Sequence, residues 1–337
     1  MAKTSLPSLL FIALCGVLSA QQPKPIPLRI DSPAIQQHVE KAKKIAGAEW
    51  STEEHYFCEA PRTDAPDDPV IEPAKIFDNV YAIGNSGTVA YVIRTPDGLI
   101  MIDSLRPNQL ETQLLPGFQK LGLDPAKVKW ILITHGHADH FGGAAYFQEH
   151  YRSRIYVADG DWNLIEHPPA RSGKAGTPAP ARPKRDMTLT DGQAVVLGGE
   201  TITPYLVPPH TPGSMGFIFP VKDAGKTHMA ALFGSVLLIT TLTDDPGMQK
   251  HLEAIAHWNQ VTKKAKVDTE LQNHPLMDNF TEKLEQLKRR KPGQPNPFAV
   301  GQNGYSRFVD VMEECMKAEV VRPQEAPHTR GDGSWVL

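Results

Sequence analysis

Cysteine is scarce in this sequence, and neither sign of charge is in excess. Three cysteines among 337 residues are too few for a disulfide scaffold or a cysteine-rich metal module. The 35 basic and 38 acidic side chains give a formal net charge of -3. No basic surplus is therefore present to neutralise phosphates, which argues against nucleic acid as a partner. The hydrophobic fraction of 40% excludes disorder for most of the chain.

Long apolar segments are also missing, apart from a short run near the N-terminus. Residues 1–20 carry one early lysine, an apolar stretch and a final pair of small residues, which is the layout of a secretory signal peptide. The stretch is too short to span a bilayer, which takes about 20 residues. We therefore expect a single mature domain at 21–337, periplasmic or secreted, with no stable membrane anchor. The oligomeric state stays open.

Export would place the chain in an oxidising compartment, where disulfides persist. Cys58 and Cys315 are the two cysteines of the expected mature chain. Two alternatives stay open at this point. The pair forms one bridge between an N-terminal segment and a C-terminal helix, or both residues are buried thiols.

Thirty prolines and 26 glycines favour short elements joined by turns over a long helical bundle. Apolar patterning predicts strands at 80–84, 89–95, 99–103, 128–134, 154–158, 194–197, 201–207, 216–221, 228–235 and 269–272. Helices are predicted at 33–48, 108–121, 142–151, 248–265, 280–290 and 303–319. Strand-rich and helix-rich stretches thus alternate. This order predicts an α+β fold with two sheets back to back and helices outside.

The most specific pattern is the segment His135-Gly136-His137-Ala138-Asp139-His140 at the end of an apolar strand. Side chains alternate along a strand, so His135 and His137 point the same way and can begin a zinc site. Asp139 and His140 follow as the chain turns into a helix, where they can face a second metal. Four ligand-type residues within six positions predict a metal centre rather than a polar loop.

The segment HGHADH is similar to the HxHxDH motif of the metallo-β-lactamase superfamily. LIMIDSL at 99–105 resembles the upstream strand of that family, which ends in an aspartate. PPHTPGSMGF at 208–217 resembles the segment that carries the family's third ligand. The resemblance runs from about residue 77 to residue 275. It implies an αββα sandwich, with two mixed sheets and one or two zinc ions at the sheet edges.

Carried over residue by residue, the resemblance implies two zinc ions held by two groups of three residues: His135, His137 and His210, and Asp139, His140 and His274. His274 is placed by position, because it follows the predicted strand at 269–272 where the family has its last ligand. Other histidines, such as His228 in a strand and His251 on a helix, are expected to be surface or core residues.

Many hydrolases of the family carry a bridging aspartate at the place where this sequence has Ser235. A serine there, together with the second ligand group, resembles the B3 subclass of metallo-β-lactamases. That subclass often has a further hydroxyl two residues later, where this chain has Leu237. One usual partner of the substrate carboxylate is therefore missing. Asp103 is expected beside the site, accepting a hydrogen bond from a ligand imidazole.

The resemblance implies hydrolysis in which two Zn²⁺ ions lower the pKa of a shared water from 15.7 towards about 7. Asp139 would orient that water or accept its proton. The leading expectation is an exported dizinc β-lactamase of B3 type that opens a cyclic amide in a small-molecule substrate. The alternatives are a dizinc hydrolase of another ester or amide, such as a lactonase, and a non-catalytic secreted zinc-binding protein.

Residues 168–185 hold five prolines and five basic residues and belong to no predicted element. This composition predicts a solvated loop. Because the hydroxyl expected at position 237 is missing, a basic residue of this loop is a candidate contact for an anionic substrate.

Overall fold

The computed structural model describes residues 31–59, 68–168, 181–235 and 245–325. The predicted signal peptide and Leu237 lie outside these ranges, and the described residues from Asp31 onward belong to one compact unit. None of the helices described is both long enough and apolar enough to cross a membrane.

The helices flank two sheets and differ widely in length. Their bounds are α1 Pro33–Ala46, α2 Ser51–Glu54, α3 Leu115–Lys120, α4 Ala138–Phe141, α5 Ala144–Tyr151, α6 Asp159–Glu166, α7 Asp245–Ala265, α8 Phe280–Arg289 and α9 Gly301–Glu325. A π turn at His55–Glu59 follows α2.

The first sheet has seven strands, which lie side by side in the order of the sequence. They are β1 Ala74–Phe77, β2 Val80–Gly84, β3 Val89–Thr95, β4 Gly98–Ile102, β5 Val128–Leu132, β6 Arg154–Ala158 and β7 Met187–Leu189. Strands β1 to β4 pair antiparallel and β4 to β7 pair parallel, so the sheet is mixed. The turn Pro96-Asp97 joins β3 to β4, and Thr95 pairs with Gly98 on its two sides.

The second sheet has five strands in the order β12-β11-β10-β9-β8. They are β8 Val195–Leu197, β9 Glu200–Leu206, β10 Met215–Asp223, β11 Lys226–Leu232 and β12 Thr269–Leu271. Strand β12 runs parallel to β11 and the other pairs are antiparallel. This second mixed sheet carries the segments on either side of His210 and the segment before His274.

Three apolar cores separate four layers. The middle core lies between the sheets, where side chains such as Tyr91 and Ile102 meet Phe217 and Leu232. A second core joins the first sheet to α3, α5 and α6, and a third joins the second sheet to α1, α7 and α9. Because both faces of each sheet are covered, the strands read as nearly continuous apolar runs. The predicted sandwich, with helices outside two sheets, is confirmed.

Helix α1 shows why the outer layer forms. Ser32 accepts a hydrogen bond from the backbone N–H of Ile35 at 3.4 Å and caps the helix, and proline follows at the first helical position. Its apolar residues recur every three or four positions and are buried against α9. The helix predicted at 33–48 is therefore present, and its apolar face is covered.

Cys58, in the π turn, forms a disulfide with Cys315 of α9 across a separation of 257 residues. Both cysteines are buried in the outer core, among aromatic residues such as Phe57 and Phe308. Of the two alternatives that the sequence left open, the bridge is the one the structure contains.

The expected elements differ from the structure mainly where the elements are short. Strands β1 and β7 and helix α6 were not predicted. They have four, three and eight residues, respectively. The helix predicted at 108–121 is a succession of a 3-10 turn at Pro107–Gln109, a π turn at Leu110–Leu114 and helix α3. Pro116 interrupts regular α-helical hydrogen bonding there, because proline has no N–H to donate.

Candidate metal centre

The predicted ligands come from both sheets. His135 and His137 follow β5 of the first sheet, and Asp139 and His140 lie in the short helix α4 directly after them. His210 lies between β9 and β10 of the second sheet, and His274 follows β12. The fold therefore brings together residues that are up to 139 positions apart, as the hydrogen bond between Asn273 and Thr134 illustrates.

Three imidazoles form the first group. His210 Nε2 lies 3.0 Å from His135 Nε2 and 3.1 Å from His137 Nδ1. Tetrahedral nitrogen ligands of zinc lie about 3.3 Å from one another, given bonds of 2.0–2.1 Å. The spacing and the chemistry of this donor set therefore fit a zinc ion.

A second group forms around His140 and His274, whose Nε2 atoms are 3.2 Å apart. Asp139 Oδ2 lies 3.1 Å from His140 Nε2. His135 stands between the two groups, because its ligand atom also lies within 4.8 Å of those of His140 and His274. The structure thus places all six predicted ligands in one cluster. Which of the two ions Asp139 binds, and which His135 binds, stays a prediction.

The sequence around the motif fixes α4 tightly against the Asp103 loop. The backbone N–H of Ser104 donates to the carbonyl of His140, and that of Gly142 donates to the carbonyl of Leu105. A Cβ on Gly142 would lie 2.3 Å from the backbone nitrogen of Pro107. Asp103 itself has a left-handed backbone with φ of 60°. Non-glycine residues rarely adopt this conformation, and they cluster at functional sites when they do.

Asp103 is hydrogen-bonded to His140. The His140 Nδ1–H donates to Asp103 Oδ2 at 2.7 Å, which leaves Nε2 to face the cluster. Asp103 also accepts from the backbone N–H and the hydroxyl of Thr134, both at 2.8 Å. Asn273 in turn donates to the Thr134 hydroxyl at 3.0 Å. This network joins the two sheets directly behind the ligands.

His274 is oriented by a backbone group that no sequence motif marks. Its Nδ1 lies 2.8 Å from the carbonyl oxygen of Gly87, which can only accept, so Nδ1 carries the proton. The remaining nitrogen, Nε2, faces His140. Gly87 lies in the β2–β3 turn, which Asn85 stabilises by accepting two backbone N–H bonds.

The electrostatics at His135 and His210 favour metal binding, whereas those at His140 favour a proton. Burial, with help from the neighbouring imidazoles, holds the pKa of His135 and of His210 well below the usual range. Both rings are therefore neutral at pH 7 and offer a lone pair, which a metal requires. Burial also lowers the pKa of His140, but Asp139 and Asp103 outweigh it and raise that pKa to about 10.

Asp139 is ionised at neutral pH. Burial raises its pKa, but His140 and the guanidinium of Arg106 reverse this and hold the pKa well below its ordinary value. Arg106 Nη2 lies 3.9 Å from Asp139 Oδ2. The sequence did not single out Arg106, because an arginine after a strand carries no motif.

Ser235 is buried beside the first group, and its hydroxyl accepts a hydrogen bond of 3.4 Å from the backbone N–H of His210. Histidines that were not expected to be ligands have other partners. His228 Nδ1 lies 2.9 Å from Asp268, and His251 stacks on Phe233.

The basic loop at 168–185 lies partly outside the described residues. Arg185, at its end, is ion-paired to helix α6 through Asp159 at 2.7 Å and Glu166 at 2.9 Å. The guanidinium is thus already engaged, and Arg185 is a poor choice for the predicted contact with an anionic substrate.

Comparisons with known proteins agree with this site. Residues 83–224 match the model of the metallo-β-lactamase superfamily. A hydroxyacylglutathione hydrolase of Acidiphilium cryptum is 30% identical over 95 residues, or 28% of this chain. The hydroxyacylglutathione hydrolase GloC of Haemophilus influenzae is 31% identical over 122 residues, or 34% of this chain. These alignments span only 31% and 54% of the length of the two relatives.

Solved structures match over a longer range. BJP-1, a subclass B3 metallo-β-lactamase of Bradyrhizobium japonicum, is 26% identical with a TM-score of 0.64. The match covers 83% of this chain and 100% of BJP-1. Native FEZ-1 metallo-β-lactamase of Legionella gormanii is also 26% identical, with a TM-score of 0.66, covering 78% of this chain and 100% of FEZ-1.

The fold and the histidine-rich site together define a metal-dependent hydrolase. The chain resembles the metallo-β-lactamase superfamily over residues 83–224, and it shares the fold of BJP-1 and FEZ-1.

Proposed function

We propose that this chain is an exported dizinc hydrolase that opens a cyclic amide, and that it acts as a β-lactamase of B3 type. The observation that carries the proposal is the pairing of His140 with His274 across the two sheets, next to Asp139. This pairing completes a second group of donors beside the first group of three imidazoles. The match to BJP-1 over that protein's whole length supports the same assignment.

When bound, zinc supplies a Lewis acid and lowers the pKa of a coordinated water. The chain's own residues prepare the site for it. Asp103 and the Gly87 carbonyl fix which nitrogen of His140 and of His274 faces the cluster. Asp139, ionised and beside Arg106, orients the attacking water or accepts its proton. The apolar core between the sheets keeps water away from the back of the site.

A second candidate is a hydrolase of acylglutathione-type thioesters or of other esters and amides, such as lactones. The two curated relatives described above are hydroxyacylglutathione hydrolases, which favours this candidate. Because loops rather than the metal site set the substrate, the shared fold does not choose between the two.

The test is hydrolysis by zinc-loaded protein of nitrocefin, an acyl-homoserine lactone and S-lactoylglutathione, each with and without chelator. We expect chelator-sensitive turnover of nitrocefin. His137→Ala should lower kcat/KM by at least about 100-fold, since it removes a ligand of the first group. The matched control is His228→Ala, a histidine paired with Asp268 outside the cluster.

Turnover of the lactone or the thioester alone would replace the β-lactamase assignment with the second candidate. Zinc binding without any turnover would favour a non-catalytic protein.

Export to the periplasm or to the medium is part of the proposal. The N-terminal sequence pattern and the disulfide between Cys58 and Cys315 support it, because such bonds persist in oxidising compartments. Fractionation of expressing cells should place the protein outside the cytoplasm, and retention there would contradict export.

A further inference from the structure

Asp161 is a buried carboxylate that lies behind the first group of histidines. It occupies the first turn of α6, and its side chain has no exposure to solvent. Oδ2 accepts from the backbone N–H of Gly136 and from the hydroxyl of Thr211, both at 2.6 Å. Oδ1 accepts from the backbone N–H of Gly213 at 2.7 Å. A carboxylate removed from water needs such donors to stay ionised.

These three hydrogen bonds reach the two loops that carry the first group. Gly136 lies between His135 and His137, after β5 of the first sheet. Thr211 directly follows His210, in the loop before β10 of the second sheet. A single side chain therefore joins the ligand loop of one sheet to the ligand loop of the other.

The backbone is closely fitted to this contact. A Cβ on Gly213 would lie 2.7 Å from the backbone nitrogen of Asp161 and 2.8 Å from its Cγ. A Cβ on Gly136 would lie 3.2 Å from the Asp161 carbonyl oxygen. The Thr211 hydroxyl is also 2.7 Å from that of Ser214, which restricts its rotation. Glycine at both positions lets the two loops approach α6.

We propose that Asp161 is a positioning residue that sets the spacing of His135, His137 and His210, and so the affinity of the metal ion they hold. The inference rests on the proposed metal-dependent function. Asp161 acts through Gly136 and Thr211. Asp103 contacts the ring of His140 directly and reaches His135 through the Thr134 hydroxyl. Asp161, in contrast, is bonded to the backbone beside the first group and has no such bond to His140 or His274 among the described residues.

Asp161→Asn tests this division. The asparagine amide replaces one acceptor oxygen with an NH₂ group, so it cannot accept from Gly136, Thr211 and Gly213 in the present arrangement. Removing an outer partner of a metal ligand typically weakens metal affinity by about 10–100-fold. We expect a loss of that size for the first group and no such loss for the second.

The measurement is zinc affinity by competition with a chromophoric chelator, using the full chain in two single-site backgrounds. His274→Ala leaves the first group as the intact site, and His210→Ala leaves the second. Asp161→Asn should weaken zinc about 10–100-fold in the His274→Ala background and less than about 3-fold in the His210→Ala background. Thermal unfolding of each metal-free variant shows that it is folded.

Asp223→Asn is the matched control. Asp223 is a buried carboxylate paired with Arg290 at the far end of β10, about 26 Å along the strand from Met215. It should leave both affinities within about 3-fold of the parent. If Asp161→Asn fails to fold, Thr211→Val removes one of the three hydrogen bonds, and Thr211→Ser should restore the affinity that Thr211→Val loses.

The outcomes separate the inference from the proposed function. Equal weakening of both sites, or no weakening of the first, overturns the role of Asp161 while the metal centre stands. Absence of zinc binding in the unaltered chain overturns the metal centre and the positioning role together. Selective weakening of the first site supports the inference even if the substrate is not a β-lactam.

Discussion

Buried carboxylates in this fold differ in whether hydrogen-bond donors surround them. Asp103 and Asp161 are fully buried, and each accepts three hydrogen bonds from the residues around the ligands. Glu53 in α2 is buried as well, but neither of its side-chain oxygens has a hydrogen-bond partner among the described residues. It lies near Lys283, which is hydrogen-bonded to Glu270 at 2.7 Å and to Asp278 at 3.3 Å.

Glu53 makes stability depend on pH. Burial raises the pKa of Glu53 from 4.5 to about 8, against the opposing effect of Lys283. The folded state therefore binds the proton more tightly than the unfolded state. Stability is fully present below the unfolded pKa and is lost as the pH rises through the folded one. Glu53→Gln should raise the unfolding free energy by roughly 2–4 kcal/mol at pH 8.5 and leave it nearly unchanged at pH 4.5.

Urea unfolding at several pH values checks this. Glu72→Gln, at a glutamate that is 60% exposed and paired with Lys120, is the matched control and should give the parent's pH profile. A parallel profile for Glu53→Gln and the parent between pH 5 and 8.5 would show that Glu53 is ionised in the fold at neutral pH.

The sequence reveals ligands better than it reveals the residues that orient them. The ligands His135, His137, Asp139 and His140 are contiguous and of a rare type, so their pattern stands out. The groups behind them, such as Asp161 and the Gly87 carbonyl, are common polar groups supplied by other parts of the chain. Only the folded arrangement brings these groups to the ligands.

Among the elements, α9 holds the outer layer together. It packs on α1 and α7 and is bonded to the π turn through the disulfide between Cys58 and Cys315. Trp50, just before α2, donates its indole N–H to the carbonyl of Gly304 in α9 at 3.0 Å. The N-terminal elements are therefore fixed to the C-terminal helix by covalent and polar contacts.

Loss of the disulfide should destabilise this layer. The bond closes a long loop, and such a bond typically contributes about 2–4 kcal/mol by restricting the unfolded chain. The variant Cys58→Ser with Cys315→Ser should lose about that much unfolding free energy in urea. Reductant should lower the stability of the parent towards that of the variant. Equal stability of the parent with and without reductant, with the bond shown to be open, would contradict this account.

Element types follow from the sequence where apolar runs are long. Strand β6 begins and ends where the pattern predicts, and β3 does too. Helix α6 was missed because Gly160 and two aspartates lower its helix propensity, and tertiary contacts such as those of Trp162 stabilise it instead. Since Asp161 lies in α6, the positioning residue was missed with it.

At the scale of the whole molecule, the metal centre forms where the two sheets meet. Each sheet supplies part of the donor set, so neither half of the chain holds the site alone. The order of elements predicted two sheets back to back with helices outside. That both sheets are mixed, with the metal ligands at their edges, came from the family resemblance, because strand periodicity carries no information about strand direction.

The most direct test of the account is the number of zinc ions per chain. Elemental analysis of protein saturated with zinc and then freed of loosely bound metal should find two ions per chain. His274→Ala should retain one, because it removes a ligand of the second group only. His228→Ala, which alters a histidine paired with Asp268, should retain two. At most one zinc ion in the unaltered protein, or an unchanged count in His274→Ala, would contradict the dizinc centre.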